Sequence, residues 1–268
     1  MMEFIPRVGH VSSLPQNRLY KDLSWLYPFV SPLEHYIEET EYFSRIVKEQ
    51  ARKPVHSVLH LGCGCGHNDF VLKKHFQVTG IDRSDAMIGL AKKLNPEVRY
   101  LKADMRNARL DAAFDAVVAL DSIDYLLLAE DLKLTFATAW RHLNPGGVFL
   151  FLIEELKEDF DQNRIIHWTK AREDAEVAVI ENRYDPNPLD TNYESVSVYL
   201  IRRKGKLSME TDLHRCGLFP SSVFEKVLAE IGFQVRRLAY EPAPGQASVE
   251  HAGLVGRESY PMFIGIKE

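Results

Sequence analysis

Residues 58–82 read V-L-H-L-G-C-G-C-G-H-N-D-F-V-L-K-K-H-F-Q-V-T-G-I-D, and this stretch decides the fold. An apolar run, Val58 to Leu61, ends in three alternating glycines, Gly62, Gly64 and Gly66. A helical pattern around Phe70, Val71 and Leu72 follows, and a second apolar run closes on Asp82. The order is strand, tight glycine turn, helix, strand, acid. Glycine is needed where the backbone turns at positive φ, or approaches a ligand too closely for a Cβ. An acid roughly twenty residues past such a turn stands where a carboxylate accepts hydrogen bonds from ribose hydroxyls. The stretch therefore predicts a nucleoside-containing ligand at the carboxyl edge of a parallel sheet.

Glycine spacing narrows the ligand. The dinucleotide fingerprint G-x-G-x-x-G seats a pyrophosphate on a helix N-terminus. Here the two-residue gap is missing and position 67 is His67. No G-x-x-x-x-G-K-[ST] run occurs, which argues against a nucleotide triphosphatase. A G-x-G-x-G turn lets the chain pass close to a small zwitterion instead.

The downstream segments agree with an open α/β sheet. Ser84 is a good helix cap, and Met87, Ile88, Leu90 and Ala91 make an apolar helix face. Val98 to Leu101 reads as a short strand that runs into Ala103-Asp104-Met105. F-D-A-V-V-A-L, Phe114 to Leu120, is apolar throughout, as expected of a strand covered on both faces. Asp121-Ser122-Ile123-Asp124-Tyr125 follows at its carboxyl end. Thr135 to Leu143 reads as helix, Asn144-Pro145-Gly146-Gly147 as a turn, and Val148 to Ile153 as a fifth strand. This alternation predicts a Rossmann-like, doubly wound, mostly parallel seven-stranded sheet.

V-L-H-L-G-C-G-C-G resembles motif I of the class I S-adenosylmethionine-dependent methyltransferases, whose usual form is V-L-D-L-G-C-G-T-G. L-N-P-G-G-V, Leu143 to Val148, resembles a second recurrent signature of that family, and the likeness spans roughly residues 55–153. The resemblance implies S-adenosyl-L-methionine as cofactor and methyl transfer as the activity. It further implies that Gly62, Cys63 and Gly64 lie against the methionine moiety and that Asp82 with Arg83 serves the ribose. Met87 and Met105 are expected to sandwich the adenine, with Asp104 facing its amino group. Leu120, Asp121 and Ser122 are expected beside the methionine end, with the Leu120 carbonyl on its ammonium. One departure is His60, where the family carries an acid.

Asn17 to Tyr27 (N-R-L-Y-K-D-L-S-W-L-Y) resembles the aromatic N-terminal region of small-molecule methyltransferases, which lies over cofactor and substrate. Tyr20 and Tyr27 are therefore assigned to the cofactor site, since a sulfonium is attracted to aromatic faces. Pro28 and Pro32 break this segment, and Leu33 to Gln50 reads as an amphipathic helix. Tyr125 occupies the position where the resembling enzymes carry a His or Tyr facing the substrate. Tyr125, Tyr20 and His214 are the catalytic candidates, with Asp121, Asp124 and Glu154 as further acceptors of a proton. Arg257 is a candidate for an anionic substrate group.

Beyond the fifth strand, 154–173 reads as charged and irregular or helical. Ala175 to Tyr184, Tyr193 to Arg203 and Lys206 to Leu218 alternate with a period near two. A three-stranded antiparallel insert is expected there, roofing the pocket or pairing with a second subunit. Ser221 to Ile231 reads as a helix, and Phe233 to Tyr240 and Pro261 to Lys267 as a closing antiparallel pair. The expected division is an N-terminal helical cap over 1–52, a core over 53–153 and 219–268, and an insert over 154–218. The insert and L-H-R-C-G-L-F-P are similar to the glycine and amino-sugar N-methyltransferases.

Composition sets the remaining bounds. A net charge of −5 over 268 residues argues against a broad nucleic-acid footprint. No apolar run approaches the ~18 residues of a membrane span, and no signal-peptide pattern is read. Three cysteines, two of them in the glycine turn, favour a reducing cytoplasm. Cys63 and Cys65 with His60 and His67 lack structural-zinc spacing, so no metal is expected. The expected acceptor is a small molecule, at nitrogen ahead of oxygen. O-methylation, and an S-adenosylmethionine-binding scaffold without turnover, are the alternatives.

Overall fold

The computed structural model describes residues 14–242 and 259–268. The chain opens with short 3-10 turns at Arg18–Tyr20 and Ser24–Leu26, then α1 (Tyr27–Val30) and α2 (Tyr36–Gln50). β1 (Ser57–Leu61), α3 (His67–Leu72), β2 (Gln77–Asp82), α4 (Asp85–Leu94) and β3 (Arg99–Lys102) follow. β4 (Phe114–Ala119), α5 (Ala129–His142) and β5 (Leu143–Leu152) complete the parallel part. Four long strands come next: β6 (Arg164–Arg172), β7 (Ala175–Tyr184), β8 (Asn192–Arg203) and β9 (Lys206–Gly217). α6 (Ser221–Ile231), β10 (Gln234–Tyr240) and β11 (Tyr260–Ile266) close the fold.

The main sheet has seven strands in the order β10-β11-β5-β4-β1-β2-β3. Its β5-β4-β1-β2-β3 part is parallel, while β11 runs antiparallel to both β5 and β10. Period two in the central strands sorts their side chains to two covered faces. Val58, Ala116, Val118, Val148 and Leu150 pack with Phe43, Ile46 and Val47 of α2 on one face. Leu59, Leu61, Val117, Phe149 and Phe151 pack with Phe136 of α5 and Phe224 of α6 on the other. Asn144–Gly147, expected as a free turn, lies within β5, and pairing with β4 shifts register between Phe114 and Ala116.

The second sheet corrects the expected insert. It has four strands, β6-β7-β8-β9, all antiparallel, rather than three. The missed strand, β6, lies in the stretch read as irregular or helical. Only Ile166 and Trp168 of β6 are fully buried, so its apolar alternation is too short to stand out among Arg164, His167, Lys170 and Arg172. Those two side chains nonetheless join Leu19, Leu23, Leu26, Phe29 and Val30 with Val177, Val179, Tyr199 and Ile201 in one cluster. The N-terminal residues thus split between the sheets: 19–30 pack on the second sheet, whereas α2 packs on the main one. No described helix is long and apolar enough to cross a membrane.

Candidate functional site

A cleft of about 930 Å³ opens where β1, β2 and β4 end. Its floor is the glycine turn, with Gly62, Gly64 and Gly66 all at positive φ (70°, 52° and 79°). A Cβ on Gly62 would lie 2.5 Å from the Ser122 Cβ, and one on Gly66 would lie 2.7 Å from both Asn95 and Tyr100 side chains. At Gly64 nothing stands within 4 Å, so the backbone there presents itself to the cleft. The turn is held from β2: the Gly62 and Cys63 amides donate to the Ile81 carbonyl at 2.8 and 2.9 Å. The Gly64 amide donates to Asp82 Oδ2 at 2.9 Å, and the Ser84 amide donates to Asp82 Oδ1 at 2.7 Å. Ser84 Oγ in turn caps α4 through the Met87 amide.

Beneath the turn His60 and Asp69 form a fully buried pair, Nδ1 to Oδ1 at 2.7 Å. The acid that the family places at position 60 is thus replaced by a histidine with its own carboxylate partner nine residues on. Cys63 and Cys65 are buried, and burial pushes both thiols up. Among the described residues no group of three or more His, Cys, Asp or Glu is placed to hold a metal ion.

The cleft wall includes Tyr20, Tyr27, Gly62, Cys63, Gly64, Asp82, Arg83, Asp104, Met105, Leu120, Asp121, Ser122 and Tyr125. Met87 is absent from that wall. It is 1% exposed and lies with Ile88 and Ala91 on the inward face of α4, away from the cleft in which the adenine sandwich was expected. Asp104 is clamped by its own neighbour, Arg106, whose Nη2 donates to Oδ2 at 2.7 Å and holds the carboxyl below its ordinary range. Arg257 lies outside the described residues. Tyr36, Cys65, His67, Asn68 and Arg106 also line the cleft, and no sequence signal singled them out for it. His67 lies between the rings of Tyr27 and Tyr36, and burial lowers it to about 4, so it is neutral.

A second cavity of about 680 Å³ shares Tyr20, Tyr27, Tyr36, Asp121 and Tyr125 with the cleft and is walled beyond them by the second sheet. Its polar lining includes Glu154, Glu181, Arg183, Tyr193, Ser195, Ser197, Tyr199 and His214. The Arg183 guanidinium bonds Glu181, Glu155 and Glu154 at 2.7, 2.8 and 3.2 Å, so acid outnumbers base around it. Asp121, at the junction, adopts φ 57° and buries an Oδ1 that has no hydrogen-bond partner. Burial raises Asp121 to about 6 and Glu154 to about 7, and drives Asp124 well above the carboxylate range. The three catalytic candidates come together here. Tyr20 Oη lies 2.5 Å from Tyr125 Oη, which lies 3.0 Å from His214 Nδ1.

Residues 58–147 match the Methyltransferase domain family. YqeM, an inferred methyltransferase of Bacillus subtilis (strain 168), is 27% identical over 229 residues, which is 82% of this chain and 88% of that protein. Residues 58–147 therefore form a methyltransferase domain, and S-adenosylmethionine-dependent methyl transfer is the activity. The methyltransferase is also 28% identical to the dTDP-3-amino-3,4,6-trideoxy-alpha-D-glucopyranose N,N-dimethyltransferase of Streptomyces venezuelae, over 70% of this chain and 79% of that enzyme. Its fold superposes on the crystal structure of Streptomyces venezuelae DesVI with a TM-score of 0.76 at 23% identity, covering 98% of this chain and 100% of that one. The cleft fits the donor chemically. A glycine turn without side-chain bulk, a carboxylate at the β2 end and an orphaned Asp121 oxygen offer a backbone floor, a ribose acceptor and an anion for an ammonium or sulfonium.

Proposed function

We propose that the methyltransferase methylates an amino group of a small, hydroxyl-bearing acceptor held in the cavity beneath the second sheet. The observation that carries this reading is the lining of that cavity. Its carboxyls outnumber its one arginine: burial raises Asp121, which pairs with no arginine or lysine among the described residues, and raises Glu154 even with the Arg183 guanidinium 3.2 Å away. An alkylammonium group supplies the balancing positive charge. The phenols and hydroxyls of Tyr20, Tyr125, Tyr193, Ser195 and Ser197 suit the donors and acceptors of a polyol frame. Amino-sugar methylation by the Streptomyces relative supports the same class.

S-adenosylmethionine, when bound, supplies an electrophilic methyl group on sulfur. In this reading Gly62, Cys63 and Gly64 floor the methionine moiety, and the Leu120 carbonyl with Asp121 takes its ammonium. Asp82 and Arg83 serve the ribose; Met105 and Asp104 serve the adenine. Ser122, whose Oγ donates to the Leu61 carbonyl at 2.9 Å, keeps the wall close against Gly62. Tyr20 and Tyr27 close over the cofactor side, which excludes water. What the protein adds to the reaction is alignment of the acceptor and removal of its proton. Tyr125, Tyr20, His214 and Glu154 are the groups placed to handle that proton.

The second sheet presents Ala178, Ile180, Val196, Val198, Leu200 and Met209 on the face turned away from the cavity, with Ile180 41% and Met209 65% exposed. We assign this apolar face to a homodimer contact, because a patch of this kind signals a partner. We also place the protein in the cytoplasm, with no nucleic acid or membrane as partner. The acceptor class is tested by isothermal titration and turnover with a panel of amino sugars, their N-acetyl derivatives and the parent sugars. Free amines are expected to bind and turn over. Methylation of parent sugars with no activity on amines would overturn the nitrogen assignment in favour of oxygen.

A further inference from the structure

The three catalytic candidates do not end at His214. His214 Nε2 lies 2.8 Å from Asp212 Oδ2, and the Asp212 carboxylate is fully buried. Asp212 also accepts from the Arg18 amide through Oδ1 at 2.9 Å and from the Leu19 amide through Oδ2 at 2.7 Å. One carboxylate thus holds a ring nitrogen from its own strand and two backbone amides of the N-terminal segment. The same segment is fixed at its other side by Ser84 Oγ, which donates to the Tyr20 carbonyl at 2.5 Å. Pro15 and Asn17 bond the Leu213 backbone at 3.0 and 3.1 Å, so the segment lies along β9 beside Asp212.

We infer that Asp212 is a positioning residue for proton removal, setting His214 and Tyr20 together around the Tyr125 oxygen. This inference rests on the amine-methylation reading above. With Nε2–H donating to the Asp212 carboxylate, Nδ1 of His214 is left as an acceptor, and Tyr125 O–H donates to it. Tyr20 O–H then donates to the Tyr125 oxygen, whose remaining lone pair faces the cavity. The proton balance is simple. An acceptor ammonium gives its proton to the Tyr125 oxygen while the proton of Tyr125 passes to His214 Nδ1. A neutral amine, a neutral Tyr125 and an imidazolium result, and the imidazolium is held between Tyr125 and the Asp212 carboxylate. Tyr125 never becomes a phenolate, which agrees with burial holding both phenols protonated. The arrangement also makes the relay depend on the N-terminal segment: where Arg18 and Leu19 are not docked on Asp212, Tyr20 is not placed against Tyr125.

The test uses the full chain labelled with 15N-histidine, with and without S-adenosylhomocysteine. In the wild type, His214 is expected as a single Nε2–H tautomer. In Asp212→Asn that preference is lost, and Asp212→Glu restores it in part. Kinetics use whichever amine sustains turnover in the panel above. Asp212→Asn and His214→Gln should each lower kcat on the order of 10²- to 10⁴-fold, with KM for the cofactor within twofold of wild type. His214→Gln leaves the bonds from Asp212 to the Arg18 and Leu19 amides in place, so it breaks the relay even where Asp212→Asn loosens the segment. Unchanged His214 ring signals in Asp212→Asn, or a kcat within threefold of wild type in His214→Gln, would overturn the inference. If no amine turns over, the acceptor assignment fails, and the tautomer measurement still decides the relay.

Discussion

Asp82 serves two strands' worth of structure before any ligand arrives. Its Oδ2 pins the Gly64 amide and its Oδ1 pins the Ser84 amide, so the glycine turn and the start of α4 share one carboxylate. Replacing Asp82 by Ala removes the acceptor proposed for the ribose and also slackens the turn. Affinity for S-adenosylhomocysteine by calorimetry is expected to fall by about 1.5–3 kcal/mol for each charge-assisted bond lost. An unchanged Kd would refute the ribose assignment. Asp121 makes the opposite kind of prediction. Its folded pKa is raised from 3.8 to about 6, so between those values the folded state keeps a proton that the unfolded chain has released. Stability from this group is therefore full below about pH 4 and is lost as pH rises through about 6. Asp121→Asn should be more stable than wild type at pH 7.5 by on the order of 3 kcal/mol, with little difference at pH 4. Thermal midpoints across that range measure it, and a variant less stable at pH 7.5 would contradict the strain attributed to this carboxylate.

At the level of elements, the N-terminal turns and β6 depend on each other. Leu19, Leu23, Leu26, Phe29 and Val30 are too few to form a core of their own and are buried in one cluster with Ile166 and Trp168 of β6 and with Val177, Val179, Tyr199 and Ile201. Trp168 is 4% exposed, and its Nε1 donates to the Phe29 carbonyl at 3.4 Å. Trp168→Ala opens a large cavity at this junction and should cost about 3–5 kcal/mol where the site cannot collapse. The expected signature is local: hydrogen exchange in residues 19–30 accelerates far more than in β1 or β4. Equal acceleration in both regions would show that the second sheet and the main sheet unfold as one unit. The same reasoning accounts for α2. Phe43, Ile46 and Val47 are packed on the main sheet, so α2 should keep its protection in this variant.

For the whole molecule, the main sheet is covered on both faces while the second sheet is covered on one. The inner face of the second sheet closes the second cavity, proposed above for the acceptor, and its outer face carries Ile180, Val198 and Leu200 towards solvent. Two charged substitutions there, Ile180→Glu with Val198→Lys, should convert a dimer to a monomer in light scattering while leaving cofactor binding intact. A wild-type monomer would remove the dimer assignment without touching the cavity.

The sequence by itself determined the main sheet and the glycine-turn wall of the cleft. Strand, glycine turn, helix and acid over 58–82 form a local pattern, and each part answers a local demand: positive φ at Gly62, Gly64 and Gly66, a cap at Ser84, a carboxylate at the end of β2. Cleft-lining positions such as Gly62, Asp82, Asp104, Met105 and Ser122 were legible because they follow directly after strands that end at one edge. Met87 is buried on the apolar face of α4 that the helical period marked, whereas the resemblance had pointed it at the adenine. β6 was hidden because two buried residues among charged ones carry too little alternation. Only the tertiary structure decided the second cavity and the Tyr20–Tyr125–His214–Asp212 chain, whose members come from the first turn, the loop after β4 and the last strand of the second sheet. Such a contact spans nearly two hundred residues of chain, and no periodicity records it. It exists because the second sheet folds back over the edge where β4 ends, with the apolar part of its inner face on the N-terminal turns and the polar part on the cavity.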